Sequence, residues 1–327
     1  MPGRKSPRHG SMQFWPRVRA KRIYPRVRSW SRKDAGLAGF AGYKVGMTHV
    51  SFMDPRKNSL TKGMEVSCAV TIIECPSIKI IGASLYKQDS YGLKCSSKVM
   101  TKSDKFRERR ASKLKKSNED NITKINPADY ADIRAIVQLQ PHIAGIAKKT
   151  PEIFEIGLGG SITDKFNFIK DKLSKEVAVS DVFKEGEMLD VTSVSKGKGF
   201  QGPLKRFGIK KRHHKSEKSI RNPGSLGAWC GQAHMMYRVA HAGQMGYQQR
   251  TELNKLLMKI SNNASEVNPA GGFVKNSPVK STFILLKGCV SGAKKRMIVF
   301  SKPRRADPRS TNEPLEITSI STISQQR

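Results

Sequence analysis

The segment from residue 194 to residue 251 constrains this chain more than any other. Residues 194–221 carry ten Lys or Arg side chains against the single acid Glu217, and no acid occurs from Lys218 to Thr251. The segment contains glycines and isolated aromatic residues, and it lacks the regular spacing of apolar residues that a helix or strand packed on a core would show. A loop of this length inside a compact domain is usually either functional or disordered. Because Lys and Arg neutralise phosphate and aromatic faces stack on unpaired bases, we predict that the loop enters RNA.

The charge of the whole chain indicates the same class of partner. The 327 residues include 61 Lys and Arg against 26 Asp and Glu, a net charge of +35, which attracts polyanions. The partner is then a nucleic acid or an anionic membrane. No stretch approaches the roughly 20 consecutive apolar residues of a transmembrane helix, and Pro2, Pro7 and Pro16 interrupt a basic N-terminus that does not resemble a secretory signal. We therefore favour a nucleic acid.

The N-terminal residues form a second basic segment. Residues 1–33 include 11 basic side chains and no acid, and Phe14, Trp15, Tyr24 and Trp30 are interleaved with them. Such a segment cannot bury a core, so we expect it to be disordered when free and ordered on RNA. The alternative is a solvated tail without a fixed partner, and the four aromatic residues argue against it.

Residues 117–190 have the opposite character. They hold 13 acids against 9 basic residues, a net charge of −4, which leaves +39 on the rest of the chain. Alternating apolar residues from Ile133 to Leu139 predict a strand. Thr163 could cap a helix in which Phe166, Ile169 and Leu173 recur at helical spacing. We expect a conventional globular insertion that faces solvent.

The remaining chain is predicted to be β-structured. Runs rich in Val, Ile and aromatic residues predict strands at 39–47, 64–73, 78–86, 188–194, 282–290 and 296–300. Because these strands do not alternate regularly with helices, they suggest a closed antiparallel β-barrel. The predicted fold class is mainly β with an α+β insertion. The predicted domains are a basic N-terminal extension at 1–35, a β-barrel at 36–96 and 186–327 with a long RNA-penetrating loop at 195–281, and the insertion at 97–185.

Signals typical of enzymes are weak. The run from Gly197 to Gly202 matches a GxGxxG pattern after a strand, but a dinucleotide site needs a helix to open at once. Pro203, Gly208 and a polar basic run follow instead, so we favour a loop close to an RNA backbone. No Ser/His/Asp set or pair of carboxylates stands out. We predict no catalytic residues and no cofactor.

A metal site and disulfides are not predicted. Cys230, His234 and His241 lack a fourth ligand at a spacing usual for zinc, and His213 and His214 are adjacent. The five cysteines, at 68, 75, 95, 230 and 289, are an odd number without a CxxC pair. Those at 68, 75 and 289 lie in apolar runs, where a free Cys behaves as a small hydrophobe. We expect reduced thiols in a cytoplasmic protein.

Several long motifs, in order, resemble those of the universal third protein of the large ribosomal subunit in its archaeal and eukaryotic form. They include AGYKVGMTHV, GMEVSCAVTIIECP, VTSVSKGKGFQGPLKRFGIK, NPGSLGAW, RVAHAGQMGYQQRTELNKLLMKI and LLKGCVSGAKKRMIVF. The resemblance implies a translation-protein-type barrel that binds 23S-type large-subunit rRNA early in assembly, beside neighbouring ribosomal proteins. It also implies that the loop, with Trp229 near its tip, reaches towards the peptidyl transferase centre and supports that RNA without catalysing.

The expected RNA contacts follow from these observations and lie in both basic segments. In the N-terminal extension they are Arg4, Lys5, Arg8, Trp15, Arg17, Arg19, Lys21, Arg22, Arg26 and Arg28. In and beside the loop they are Lys196, Lys198, Phe200, Gln201, Lys205, Arg206, Lys210, Lys211, Arg212, His213, His214, Arg221, Trp229, His234, Arg238, His241, Gln244 and Arg250. Two other classes remain open: a DNA-compacting protein, which would need minor-groove wedges, and an RNA-modifying enzyme, which would need a cofactor pocket. Recovery in one-to-one ratio with large subunits would exclude both.

Overall fold

The computed structural model describes residues 8–31, 34–56, 58–111, 122, 125–227, 237–308 and 313–326. Two compact units are present. The first, which we call the basic unit, consists of Met1–Arg22 and Val194–Gln249. The second, the sheet unit, consists of Ile23–Ser193 and Arg250–Arg327.

Antiparallel strands dominate the described chain, so the predicted mainly β fold is confirmed. The strands are β1 (Gly36–Leu37), β2 (Gly39–Met53), β3 (Glu65–Glu74), β4 (Ile78–Asp89), β5 (Gly92–Met100), β6 (Asp132–Leu139), β7 (Ile153–Gly159), β8 (Glu176–Val177), β9 (Met188–Val194), β10 (Phe200–Gln201), β11 (Gly243–Gln244), β12 (Gln249–Ser261), β13 (Phe283–Lys287), β14 (Met297–Ser301) and β15 (Ile317–Ile320). The α-helices in the described ranges are α1 (Ile162–Lys172) and α2 (Pro203–Phe207). Neither is long and apolar enough to cross a membrane.

Six strands of the sheet unit pair in a closed ring. Their order is β14, β9, β12, β13, β3 and β2, and β2 pairs again with β14. Strand β2 is 15 residues long and pairs with β3 from Tyr43 opposite Glu74 to Met53 opposite Glu65. A closed ring leaves none of its members with a free edge along its whole length. These pairings favour the closed arrangement that the sequence predicted.

A second sheet contains β1, β7, β6, β4 and β5 in that order, with β8 paired to β4. Residues 78–100 thus pair with the insertion strands and not with the ring, although the predicted barrel included residues up to 96. Phe40 and Phe300 of the ring share one apolar cluster with Ile80 and Val137 of the second sheet. The predicted division into domains stays a prediction, but the pairings favour starting the insertion at Ile78.

The buried carboxylate of Glu74 ties three segments of the sheet unit together. It accepts hydrogen bonds from the Gly145 backbone N–H, at 3.0 Å to each oxygen, and from the backbone N–H groups of Lys280 and Ser281 at 2.9 and 3.0 Å. The Ser281 hydroxyl donates a further bond at 3.1 Å. Several such bonds replace the water that a buried carboxylate has lost. The end of β3 is thereby joined to both the insertion and the segment before β13.

The cap of helix α1 lies two residues before the predicted one. Ser161 caps it: the Asp164 N–H donates to the Ser161 hydroxyl at 3.2 Å, and the Ser161 N–H donates to the Asp164 carboxylate at 3.0 Å. This reciprocal capping box fixes the start of the helix at Ile162. The prediction of Thr163 as the cap was therefore wrong.

Strand β12 lies inside the predicted loop 195–281 and was missed. Its first half is polar, and the register shifts between Leu257 and Lys259. Such a bulge breaks the alternation by which strands are recognised in a sequence. The apolar prediction for Cys289 was also wrong, since β13 ends at Lys287 and Cys289 is exposed. Cys75 is buried as predicted, and burial raises the pKa of its thiol.

Part of the N-terminal segment is buried in the sheet unit, contrary to expectation. Tyr24 is 8% exposed, and Val27 and Trp30 pack against the shared apolar cluster. The Trp30 indole lies so close to Gly157 that a Cβ there would be 2.5 Å from the ring. Residues 23–31 therefore anchor the segment, while the preceding residues belong to the basic unit.

Replacing Glu74 by alanine tests the tie between the segments. The change removes the acceptor of three backbone N–H groups, of which only that of Gly145 belongs to a buried residue. A buried N–H without an acceptor costs about 1–3 kcal/mol and a partly exposed one costs less, so the free energy of unfolding should fall by about 3–5 kcal/mol. Urea unfolding of the free chain measures it. Glu65→Ala, at the exposed start of the same strand, should cost less than about 0.5 kcal/mol. Equal losses in the two variants would contradict the proposed role of Glu74.

Candidate RNA interface

A short ladder forms the base of the basic unit. Strands β10 and β11 pair Phe200 with Gln244 and Gln201 with Gly243. Further backbone bonds continue the ladder: Ser195 N–H to Gln248 O at 2.9 Å, Tyr247 N–H to Lys196 O at 3.2 Å, Lys198 N–H to Met245 O at 2.9 Å and Met245 N–H to Gly199 O at 2.9 Å. The two ends of the loop segment are thus fixed side by side, although neither apolar cluster of the described residues includes a residue of this ladder.

The guanidinium of Arg206 is the main tie within the basic unit. Its Nε donates to the Gln244 carbonyl at 3.0 Å, its Nη1 to the His241 carbonyl at 3.0 Å and its Nη2 to the Arg17 carbonyl at 3.2 Å. In return, Nη1 of Arg17 donates to the Arg206 carbonyl at 2.8 Å. Burial lowers the pKa of Arg206. The sequence predicted an RNA contact for this side chain, but its donors are directed at backbone carbonyls.

Aromatic packing completes the attachment of the N-terminal segment. The Trp15 ring lies 5.8 Å from the Phe207 ring and 6.1 Å, edge to face, from the Tyr237 ring. The Arg17 guanidinium stands 4.3 Å above the Phe207 ring, a cation–π geometry. Gly10 has φ +81°, and a Cβ there would lie 2.7 Å from the Arg17 guanidinium and 2.8 Å from Phe207. Trp15, predicted to face RNA, therefore packs inside the unit.

A helix does follow the GxGxxG pattern, contrary to the prediction. Pro203 occupies the first turn of α2, where its missing N–H is not needed. Gly208, with φ +69°, ends the helix after five residues. A helix this short bears no resemblance to the long one that opens a dinucleotide-binding unit. What α2 does provide is Arg206 and Phe207, the two side chains that hold the N-terminal segment.

The charged side chains of the basic unit are almost all cationic. Its two segments hold 18 Lys and Arg and the single acid Glu217, a net charge of +17. Thirteen of these basic side chains are exposed in the described part: Arg8, Arg19, Lys21, Arg22, Lys196, Lys198, Lys205, Lys210, Lys211, Lys215, Lys218, Arg221 and Arg238. Lys215 and Lys218 were not among the predicted contacts, although they lie in the same basic run of the sequence.

The uncharged predicted contacts divide between the surface and the interior. Phe200 is 77% exposed, and the exposed His213 and His214 rings lie 4.2 Å apart. Gln201 and Gln244 are half-buried, and their amides donate to backbone carbonyls of the same ladder. His241 is half-buried and supplies a carbonyl to Arg206.

Three predicted basic contacts belong to the sheet unit. Arg26 and Arg28 are exposed, whereas Arg250 is half-buried and burial lowers its pKa. Within the basic unit, Arg212 donates to the Pro223 carbonyl at 2.6 Å and is half-buried. Arg4, Lys5, Trp229 and His234 lie outside the described residues, as does Cys230.

Comparison with known proteins gives one consistent family. The model of the family described as ribosomal protein L3 matches residues 1–327. The large ribosomal subunit protein uL3 of Methanothermobacter thermautotrophicus is 44% identical over 331 residues, which span 98% of each chain. Proteins of the same name from Archaeoglobus fulgidus and Methanococcoides burtonii are 41% and 43% identical, over 98% and 97% of each chain.

Arg206→Lys tests the central tie of the basic unit. A lysine ammonium cannot reach three carbonyls with the planar fork of a guanidinium, and each lost charge-assisted hydrogen bond costs about 1.5–3 kcal/mol. Hydrogen exchange at the Ala20, Lys198 and Met245 amides should therefore accelerate about tenfold or more. Lys205→Ala, on the exposed face of the same helix, is the matched control and should leave these rates unchanged. Unchanged rates in Arg206→Lys as well would show that the tie is dispensable.

Proposed function

The chain belongs to the ribosomal protein L3 family, a structural component of the large ribosomal subunit and not an enzyme, and from this premise we propose that its basic unit binds large-subunit rRNA. The observation that supports the proposal is the concentration of charge: a net +17 on 78 of the 327 residues, with Glu217 as the one acid. Such a surface attracts a polyanion and gains affinity by releasing the counterions of its phosphates.

The internal hydrogen bonds of the unit explain how its exposed cations could stay available for phosphate. Arg206 donates to three neutral carbonyls and Arg17 to a fourth, so these ties within the unit do not use acids. Apart from Glu217, which lies beside Lys215 and Lys218, no carboxylate within the sequence of the unit competes for its exposed cations. We propose that these cations contact phosphate, while Phe200 and the His213–His214 pair offer ring faces to unpaired bases.

The finer role follows from the family and from the residues at the tip of the loop. We propose that the loop, through Trp229 and His234, supports the rRNA around the peptidyl transferase centre and that the protein joins the subunit during assembly in the cytoplasm. The chemistry would remain with the RNA. We also propose a basic N-terminal extension, a barrel and an insertion that begins at Ile78, with other large-subunit proteins as neighbours of the sheet unit.

The salt dependence of binding tests the electrostatic part of the proposal. For Z neutralised phosphates the slope of log K against log salt is about −0.9Z on duplex RNA and shallower on single strands. With 13 exposed cations in the basic unit, we expect a slope steeper than about −6 on naked large-subunit rRNA. Filter-binding titrations measure it, and a slope near about −2 would contradict the proposal.

Charge-neutral variants locate the binding surface. Replacing Lys196, Lys198, Lys210 and Lys211 by Gln should make the slope shallower by about 3, because each contact contributes about 0.7–0.9. The matched control replaces Lys149, Lys170, Lys175 and Lys184, four exposed lysines of the sheet unit. It removes the same charge and should change the slope little. Equal effects in both variants would mean that only the net charge matters.

Trp229→Ala tests the proposed role of the loop tip. Stacking on one base contributes about 1–3 kcal/mol, which is small beside a contact surface of this charge. The variant should enter subunits normally and melt like the wild-type free chain. Chemical probing of the rRNA around the catalytic centre should change, and peptide-bond formation should slow. A large loss of thermal stability with normal probing would instead assign Trp229 to a core.

A further inference from the structure

The β4–β5 hairpin extends beyond the core of the sheet unit. Its last three pairs are Lys87 with Lys94, Gln88 with Leu93 and Asp89 with Gly92. Residues 80–86 of β4 are buried, whereas 87–91 are all exposed. We call residues 87–98 the hairpin tip. A two-stranded ribbon without a covering layer is only marginally stable in water, so an external partner would explain why it projects.

The register of the hairpin tip places two lysines opposite each other, and the Lys87 ammonium lies 5.2 Å from the centre of the Tyr130 ring. Lys87 and Lys94 are directly opposite each other on neighbouring strands, and such pairs destabilise a sheet. Lys98 is exposed on the same strand as Lys94. In the part of the chain that the structure describes, no ion pair includes any of these three lysines. Asp89, the one acid of the tip, accepts bonds from the Ser90 N–H and hydroxyl at 2.7 and 3.3 Å and so serves the turn.

An aromatic residue stands at the end of the ribbon. Tyr91 is 100% exposed, and Leu93 beside it is 39% exposed. A fully exposed phenol ring gains nothing from the fold of its own chain. Held at the end of a cationic ribbon, it has the properties by which aromatic side chains stack on unpaired bases.

We propose that the hairpin tip is a second rRNA contact, in which Lys87, Lys94 and Lys98 neutralise phosphates and Tyr91 stacks on an unpaired base. The inference rests on the proposed function but concerns residues of the sheet unit that were not among the predicted contacts. Phosphate between Lys87 and Lys94 would turn their repulsion into a shared attraction. The pair of facing lysines, which is unfavourable for the hairpin in the free protein, would then increase the affinity for RNA.

Strand addition by a protein partner fits the tip less well. Strand β5 is an edge of the second sheet and could accept an extended peptide. Exposed lysines on an edge strand, however, are a device by which proteins discourage such pairing. Both Lys94 and Lys98 lie on this edge. The charges therefore favour an anionic backbone over a peptide strand.

The first test measures binding and stability with the full chain and transcribed large-subunit rRNA. Lys94→Gln with Lys98→Gln should make the salt slope shallower by about 1.4–1.8, and the melting temperature of the free chain should stay the same or rise because like charges are removed. Lys170→Gln with Lys175→Gln, two exposed lysines of the same unit, is the control and should leave the slope unchanged. If the wild-type chain shows a steep slope and the Lys94 and Lys98 variant shows the same slope, the second contact is overturned. The proposed function of the basic unit would remain intact.

The second test identifies the partner in assembled subunits. The photo-crosslinking residue p-benzoylphenylalanine replaces Tyr91 in one variant and Asn167, on the exposed face of α1, in another. Position 91 should crosslink to rRNA and position 167 should not. Crosslinks from position 91 to protein alone would overturn the proposal in favour of strand addition. This readout does not depend on the affinity of the free chain, so it decides the question even if the electrostatic prediction for the basic unit fails.

Discussion

Mutual repulsion among the cations of the basic unit is the constraint on which the rest of the structure depends. A segment with 18 basic residues and one acid cannot be held together by ion pairs, and it lacks the apolar residues for a core. The arginines solve the problem by donating to neutral carbonyls: Arg206 binds three of them and Arg17 a fourth. Two segments more than 170 residues apart in sequence are joined in this way, and most of the remaining cations stay at the surface.

The sheet unit satisfies its buried carboxylates in two ways. Glu74 accepts from the backbone N–H groups of Gly145, Lys280 and Ser281, and Asp190 accepts from those of Asn254 and Arg304. Asp54, Asp132 and Glu152 instead form ion pairs with basic side chains of the same unit. Hydrogen bonds from charged groups to the backbone are strong in a low-dielectric interior. Each of these acids is thereby fixed by partners within the sheet unit. The sheet unit holds 25 acids against 43 basic residues, so both units carry a net positive charge, but only the basic unit does so almost without acids.

The predicted RNA contacts divide into exposed side chains and side chains that bond or pack within the basic unit. Arg8, Lys198 and Arg221 are exposed, as a prediction from charge requires, but Arg206, Arg212 and Trp15 serve the fold of the basic unit. In the sequence these residues look alike, because each lies among cations and glycines. The difference arises from which backbone carbonyls and rings lie within reach once the N-terminal segment packs on α2. The proposed contact at the hairpin tip lies outside the predicted set for a related reason, since its lysines and tyrosine stand out only when the register places Lys87 opposite Lys94.

The sequence by itself determined the mainly β class, the family and the position of the charge, because apolar runs, long motifs and acid-free segments are properties of consecutive residues. It also located most strands of the ring, whose interior faces demand Val, Ile and Phe. Only the tertiary structure decided that residues 78–100 join the insertion sheet, that β12 interrupts the predicted loop and that the N-terminal segment is divided between the two units. Strand partners, bulges and the carbonyls that receive a guanidinium are set by residues far apart in the chain. The free energies of these contacts depend on distances between such residues, which cannot be read from the pattern of neighbouring residues.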